Sequence, residues 1–310
     1  MHKYWRAIGF SKQPKRKELI ELIQKGIDRT KSRSYTVNED DEDSLLAQFD
    51  IELGSNYGIC VCGQFDDGDE FFPEYYYPYL NSDVISTRET ASVERRVDNN
   101  SFAGICDDMK VGVTLIFRLH NTIEYIKNTH TSFVPLENTS ITLTALSLEG
   151  TVMLPIYKSE SDLLKKKNTE IKRRHLMNAA KSGDENAMKE LTIADMDTYA
   201  NILSHIQYED VYSLVESYFM PYGAECELYS VMGEIKACLL TRNHVTMDEV
   251  YVMTIDSNGL VFDLAINRQD LYGEPAVGRR FKGIIWLQGK INFPLSQNLS
   301  SPEERDGKDS

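Results

Sequence analysis

The sequence predicts an α+β protein with an antiparallel N-terminal sheet, a central helical segment and a small C-terminal β-barrel. Three observations predict it. Apolar positions at spacings of three and four mark one amphipathic helix, at Leu19, Ile20, Leu22, Ile23 and Ile27, before a series of alternating strand-like runs. The composition turns helical over about 158–218. After residue 219 it returns to strands in the order long strand, strand, strand, short helix, strand, strand, which is the order of a five-stranded Greek-key barrel of OB type.

The elements follow in order. Pro14 suits a first helical turn and opens the helix that carries Leu19 to Ile27. Leu45 to Leu53 and Tyr57 to Phe65 flank Gly54-Ser-Asn, and Asp67-Gly68 precedes another aromatic run, so this part reads as a meander of hairpins. Ala91 to Val97, Val111 to Leu119 and a pair around Glu149-Gly150, Ile141 to Leu148 with Val152 to Tyr157, add strands. These make up an α+β domain over 1–157. Over 158–218 one helix passes through Leu163, Leu164, Ile171, Leu176 and Met177, and Ser182-Gly183-Asp184 marks a break and a new cap. Further helices are expected at Ala194 to Ile206 and Glu209 to Tyr218. The barrel strands over 219–295 are placed at Cys226 to Leu239, Glu249 to Ile255, Leu260 to Ile266 and Arg279 to Phe293, the last divided by a bend, with a helical turn near Arg268 to Leu271. The tail, 296–310, has almost no apolar residues and is expected to be disordered.

Composition narrows the function classes. The opening residues lack an apolar core and a small-residue cleavage site, and no apolar run approaches the roughly 20 residues a membrane span needs, so a cytoplasmic protein without a membrane partner is expected. The five cysteines, at 60, 62, 106, 226 and 238, are an odd number and read as reduced thiols. Cys60 and Cys62 share one face of a strand, and the partner pair that a structural zinc site would need is missing from the spacing. Core packing is therefore expected for both thiols, and neither a metal nor a cofactor is.

The net charge of −14 is uneven. Between Arg33 and Arg88 there is no lysine or arginine, while thirteen carboxylates occur, among them the run Glu39 to Asp43. Such a segment repels phosphate and attracts cations, so the partner it favours is a basic protein. Solvation of a like-charge face is the competing account. The lysines and arginines at 165–167 and 172–174 form an opposite stripe on the helical segment.

Two patches stand out as candidate interaction surfaces. Phe71, Tyr75, Tyr77 and Tyr79 fall on one face of an aromatic run whose prolines, 73 and 78, confine it to a sheet edge or an extended loop. A two-sided strand within the core is the other reading of that run. In the last strand Phe281, Ile285, Leu287 and Ile291 alternate inward, leaving Arg280, Lys282, Trp286 and Lys290 outward. Cations around an indole are the means by which OB-type surfaces hold single-stranded nucleic acid, unless the helical segment covers them.

Catalytic motifs are weak. Phosphate-binding glycine loops, Gly-x-Ser-x-Gly and His-Glu-x-x-His are absent, and the six histidines are scattered. A Cys106 and His120 pair with Asp107 or Asp108 is a hydrolytic arrangement the sequence permits. Asp66-Asp-Gly-Asp-Glu70 does not space its carboxylates as a calcium loop and reads as a hairpin turn.

The phrases HKYWRAIGFS, EYYYPYL, AGICDDMKVGVTLIF, DMDTYANILSHI, FMPYGAECELYSVMGEI and GEPAVGRRFKGIIWLQGKINFP carry a resemblance. They resemble a clostridial bacterial family known as domain of unknown function 3881, over nearly the whole chain up to about Pro294. The resemblance implies a bacterial cytoplasmic protein and no catalytic residues to carry over. The expectation is a non-catalytic interaction or adaptor protein; the alternatives are single-stranded nucleic-acid binding through the barrel and, after it, a hydrolytic enzyme.

Overall fold

The computed structural model describes residues 2–37, 44–66, 68–96, 101–108, 110–130, 139–156, 160–205 and 215–294 of the 310-residue chain. The expected features at Glu39 to Asp43, at 209–214 and in the tail 296–310 lie outside the described residues, as do the side chains of Lys165 to Lys167. No helix among the described residues is long and apolar enough to cross a membrane.

Four strands, β1 (Ser32–Val37), β2 (Leu45–Gly54), β3 (Tyr57–Phe65) and β4 (Phe71–Leu80), form an antiparallel sheet in chain order. The turns are those the sequence predicts. Asn56 takes a left-handed φ of 64° between β2 and β3, and Asp66 Oδ1 accepts from the backbone N–H groups of Gly68 and Glu70, each at 3.0 Å, between β3 and β4. Helix α1 (Arg16–Arg29) begins two residues after Pro14 and buries Leu19 and Ile23. At Gly26 a Cβ would lie 2.5 Å from Ile51 of β2, so glycine is what lets this helix approach the sheet.

The second sheet is built from β5 (Ala91–Arg95), β6 (Phe102–Asp108), β7 (Val113–Leu119), β8 (Ser140–Met153), β9 (Tyr218–Pro221), β10 (Leu228–Arg242), β11 (Glu249–Ser257), β12 (Leu260–Asn267), β13 (Leu271–Tyr272) and β14 (Arg280–Asn292). Strands β10, β11 and β12 form an antiparallel meander, β12 pairs parallel with β8, β8 pairs antiparallel with β14, and β14 returns to β10. The five close a barrel, as predicted. One stave is borrowed: β8 precedes the helical segment, and 219–295 supply the other four.

The borrowed stave corrects the expected hairpin at Glu149-Gly150, where the chain instead runs straight through as one strand. Its residues from Ser140 to Ser147 are buried without alternation, because Leu143 and Ala145 face the barrel interior while Leu146 faces the four-stranded sheet. Strand β14 is likewise continuous. Phe281, Ile285, Leu287 and Ile291 are each 0% exposed, so the predicted register holds. At its far end β14 pairs parallel with β7 through Gln288 and Gly289, which extends the wall by β7, β6 and β5.

Among the described residues, three more helices are α2 (Thr122–His130), α3 (Glu160–Lys181) and α4 (Glu185–His205). The predicted break between α3 and α4 is present: Gly183 has φ 89°, and Asp184 Oδ1 caps α4 by accepting from Asn186 and Ala187 N–H. Helix α4 starts earlier than the expected Ala194, and Tyr218 opens strand β9 where a helix was expected to end. Arg280 Nε donates to Leu154 O at 3.1 Å and its Nη1 to Val215 O at 2.9 Å, tying together the two ends of the helical excursion.

Candidate functional site

A layer of polar side chains lies buried where the four-stranded sheet packs on the barrel wall. Alternation in β2 and β3 turns Asp50, Cys60 and Cys62 toward it, and β4 adds Tyr75, Tyr77 and Tyr79. From the other side come Arg118 of β7 and His120, whose backbone N–H is fixed to Gly289 O at 2.8 Å. Tyr77 OH and His120 Nδ1 are 3.1 Å apart, and the Tyr79 ring stacks on the imidazole at 4.8 Å. The Arg118 guanidinium lies 4.1 Å from the centre of the Tyr77 ring.

Asp50 is the hub. Gln48 Nε2 donates to its Oδ1 at 3.1 Å, while its Oδ2 lies 3.3 Å from His120 Nε2. Burial alone would raise this carboxyl, but the His120 imidazole beside it and hydrogen bonds from Gln48 and Cys60 hold it below the ordinary carboxylate value. Burial pushes the Cys60 thiol well up, with Cys62 adding to the effect. Burial likewise raises the phenols of Tyr75, Tyr77 and Tyr79, so all three are neutral at any physiological pH.

Beside this layer, between β2, β3, β5 and α2, opens a cleft of about 380 Å³. Leu46, Phe102, Ile123 and Ile126 give it apolar walls, and Gln48, Glu74, Arg95 and Thr122 add polar ones. Cys62 and Tyr75 belong to both the cleft and the buried layer. Strand β6 and helix α2 were missed in the sequence. The signal for α2 was short, since only Ile123 and Ile126 recur at helical spacing within a nine-residue element.

The sequence-selected surfaces are corrected by this packing. Trp286 is 3% exposed. It is covered by the N-terminal 3-10 helix Lys3–Ile8 and the residue before it: Tyr4 stacks on the indole at 5.3 Å and His2 lies at 4.3 Å. Arg280 is buried by its carbonyl contacts, and Lys282 and Lys290 are half-buried, so no open stacking face with cations exists there. Tyr77 and Tyr79 are buried and Phe71 packs edge-on to Phe49 at 4.9 Å. Strand β4 is an edge of its sheet, as its prolines require, yet Tyr75, Tyr77 and Tyr79 pack inward while Phe72 is 48% exposed. Tyr77 and Trp286, chosen from separate patches, meet at 6.3 Å in the interior.

The hydrolytic pairing is corrected too. Asp107 accepts from the Thr114 hydroxyl and Asp108 from the Lys110 N–H, while Cys106 is buried in the barrel-side core. The cysteine beside His120 is Cys60.

Comparison with known families then places the chain. The profile described as "Domain of unknown function, E. rectale Gene description (DUF3881)" matches residues 5–289. The chain belongs to this family. The match takes in both sheets, the barrel and the polar layer of this DUF3881 protein. No curated protein and no solved structure matches it.

Proposed function

We propose that this DUF3881 protein is a non-catalytic binding protein whose cleft takes a small, neutral or cationic amphipathic molecule. The observation that carries the reading is the cleft itself, whose volume falls within the range of about 300–1,000 Å³ that ligand sites occupy, with apolar walls and a few convergent polar groups. The carboxylate excess over residues 34–87 favours a cation or a neutral molecule over a phosphate compound. The odd number of cysteines supports a reducing, cytoplasmic setting.

Ligand-observed NMR with a library of small neutral and cationic aromatics tests it. Hits should compete with one another and vanish in Ile126→Trp, whose indole fills the cleft, while the variant keeps its cooperative melt. Hits that bind this folded variant as well as the parent would remove the cleft from consideration.

A further inference from the structure

We infer that Asp50, Cys60 and His120 form a binding site for a divalent transition metal ion, with Zn²⁺ as the occupant their chemistry fits. One donor atom from each lies within 4.8 Å of the other two. Oxygen, sulfur and nitrogen are the donors zinc takes, at bonds of about 2.0–2.3 Å, and a tetrahedron of those bonds sets its ligand atoms roughly 3.3–3.8 Å apart. The 3.3 Å between His120 Nε2 and Asp50 Oδ2 is such an edge.

The surroundings prepare each donor. Tyr77 at His120 Nδ1 is the outer partner a metal-bound imidazole needs: with the proton on Nδ1, Nε2 presents its lone pair toward Asp50. That Nε2 is buried and makes no hydrogen bond, although a carboxylate oxygen is close by, so the pair lacks the alignment of an imidazolium donating to Asp50. Gln48 engages Oδ1 of Asp50 and leaves Oδ2 for the ion. Cys60 is buried, and binding it as the thiolate would release the thiol proton to solvent. A doubly charged ion, a thiolate and a carboxylate then sum to zero charge. Three protein donors leave one coordination position for water or another ligand. Cys62, its Sγ 3.7 Å from that of Cys60, also lines the cleft wall.

The test is titration of the full, metal-stripped chain with Co²⁺, followed by displacement with Zn²⁺. The parent should bind one equivalent with tetrahedral ligand-field bands and a thiolate-to-cobalt charge-transfer band, all erased by Zn²⁺. Cys60→Ser should lose the charge-transfer band, and the exposed Cys226→Ser should keep it. Tyr77→Phe, nearly isosteric and expected to fold, should bind Co²⁺ about 10–100-fold more weakly, the usual effect of removing an outer partner. A folded parent without the charge-transfer band, a band that survives in Cys60→Ser, or unchanged affinity in Tyr77→Phe would overturn the site.

Discussion

The Trp286 indole N–H donates to Glu227 Oε2 at 2.7 Å, and both side chains are buried. Arg96 meets the other carboxylate oxygen at 2.8 Å, so indole, carboxylate and guanidinium form one chain. Trp286→Phe, which leaves Glu227 short of a donor, should cost about 1–3 kcal/mol in a urea melt. Single-stranded oligonucleotides added at low salt should leave the emission of Trp5 and Trp286 unchanged, since both are buried. Quenching that depends on Trp286 would restore the nucleic-acid reading.

Leu287 points into the barrel from β14 and is fully buried. Leu287→Ala should destabilise by about 2–5 kcal/mol, the span for large-to-small core changes. A denaturant midpoint that does not move would contradict the register of β14 against β8 and β10.

Gln288 bridges the two sheets at the backbone of the β4 edge. Its Nε2 donates to Pro78 O at 2.8 Å and its Oε1 accepts from Leu80 N–H at 3.3 Å. Gln288→Ala strips partners from two buried backbone groups and should cost about 1–3 kcal/mol. Hydrogen exchange should read the loss locally, with the Leu80 amide exchanging faster while amides in β11 stay protected.

Acid should loosen the N-terminal cover of Trp286. Burial, then the nearby Arg118 and Lys3, lower the His2 imidazole to about 4. The unfolded chain therefore takes up a proton near 6.5 that the folded chain refuses, and stability falls as pH drops from about 6.5 toward 4. Asp50 titrates below this window, because its value is held under 3.8. Urea melts at pH 7.5 and pH 5 should show a drop that His2→Asn reduces. An equal drop in that variant would assign the acid sensitivity elsewhere.

Much of the barrel was legible because β10, β11, β12 and β14 alternate apolar and polar residues between clear turns. Strand β8 was not readable as a stave. It is buried on both faces and so lacks alternation, and its pairing with β12 and β14 is set by contacts far away in sequence. The polar layer was invisible for a related reason: Asp50, Cys60 and His120 come from three segments, and no spacing rule joins them. Trp286 was misplaced because alternation gives a side chain's face but not what covers that face, here a 3-10 helix at the other end of the chain.

The double hold of Arg280 on Leu154 and Val215 makes the helical pair a detour that leaves and rejoins the barrel at one point. In chain-entropy terms, closing such a detour costs only about 0.6 kcal/mol more for each doubling of its length. The barrel is therefore nearly indifferent to what lies between those two carbonyls. A short flexible tether in place of α3 and α4 would still let β8 take its stave, and a foreign domain whose ends lie close together could be carried in the same place.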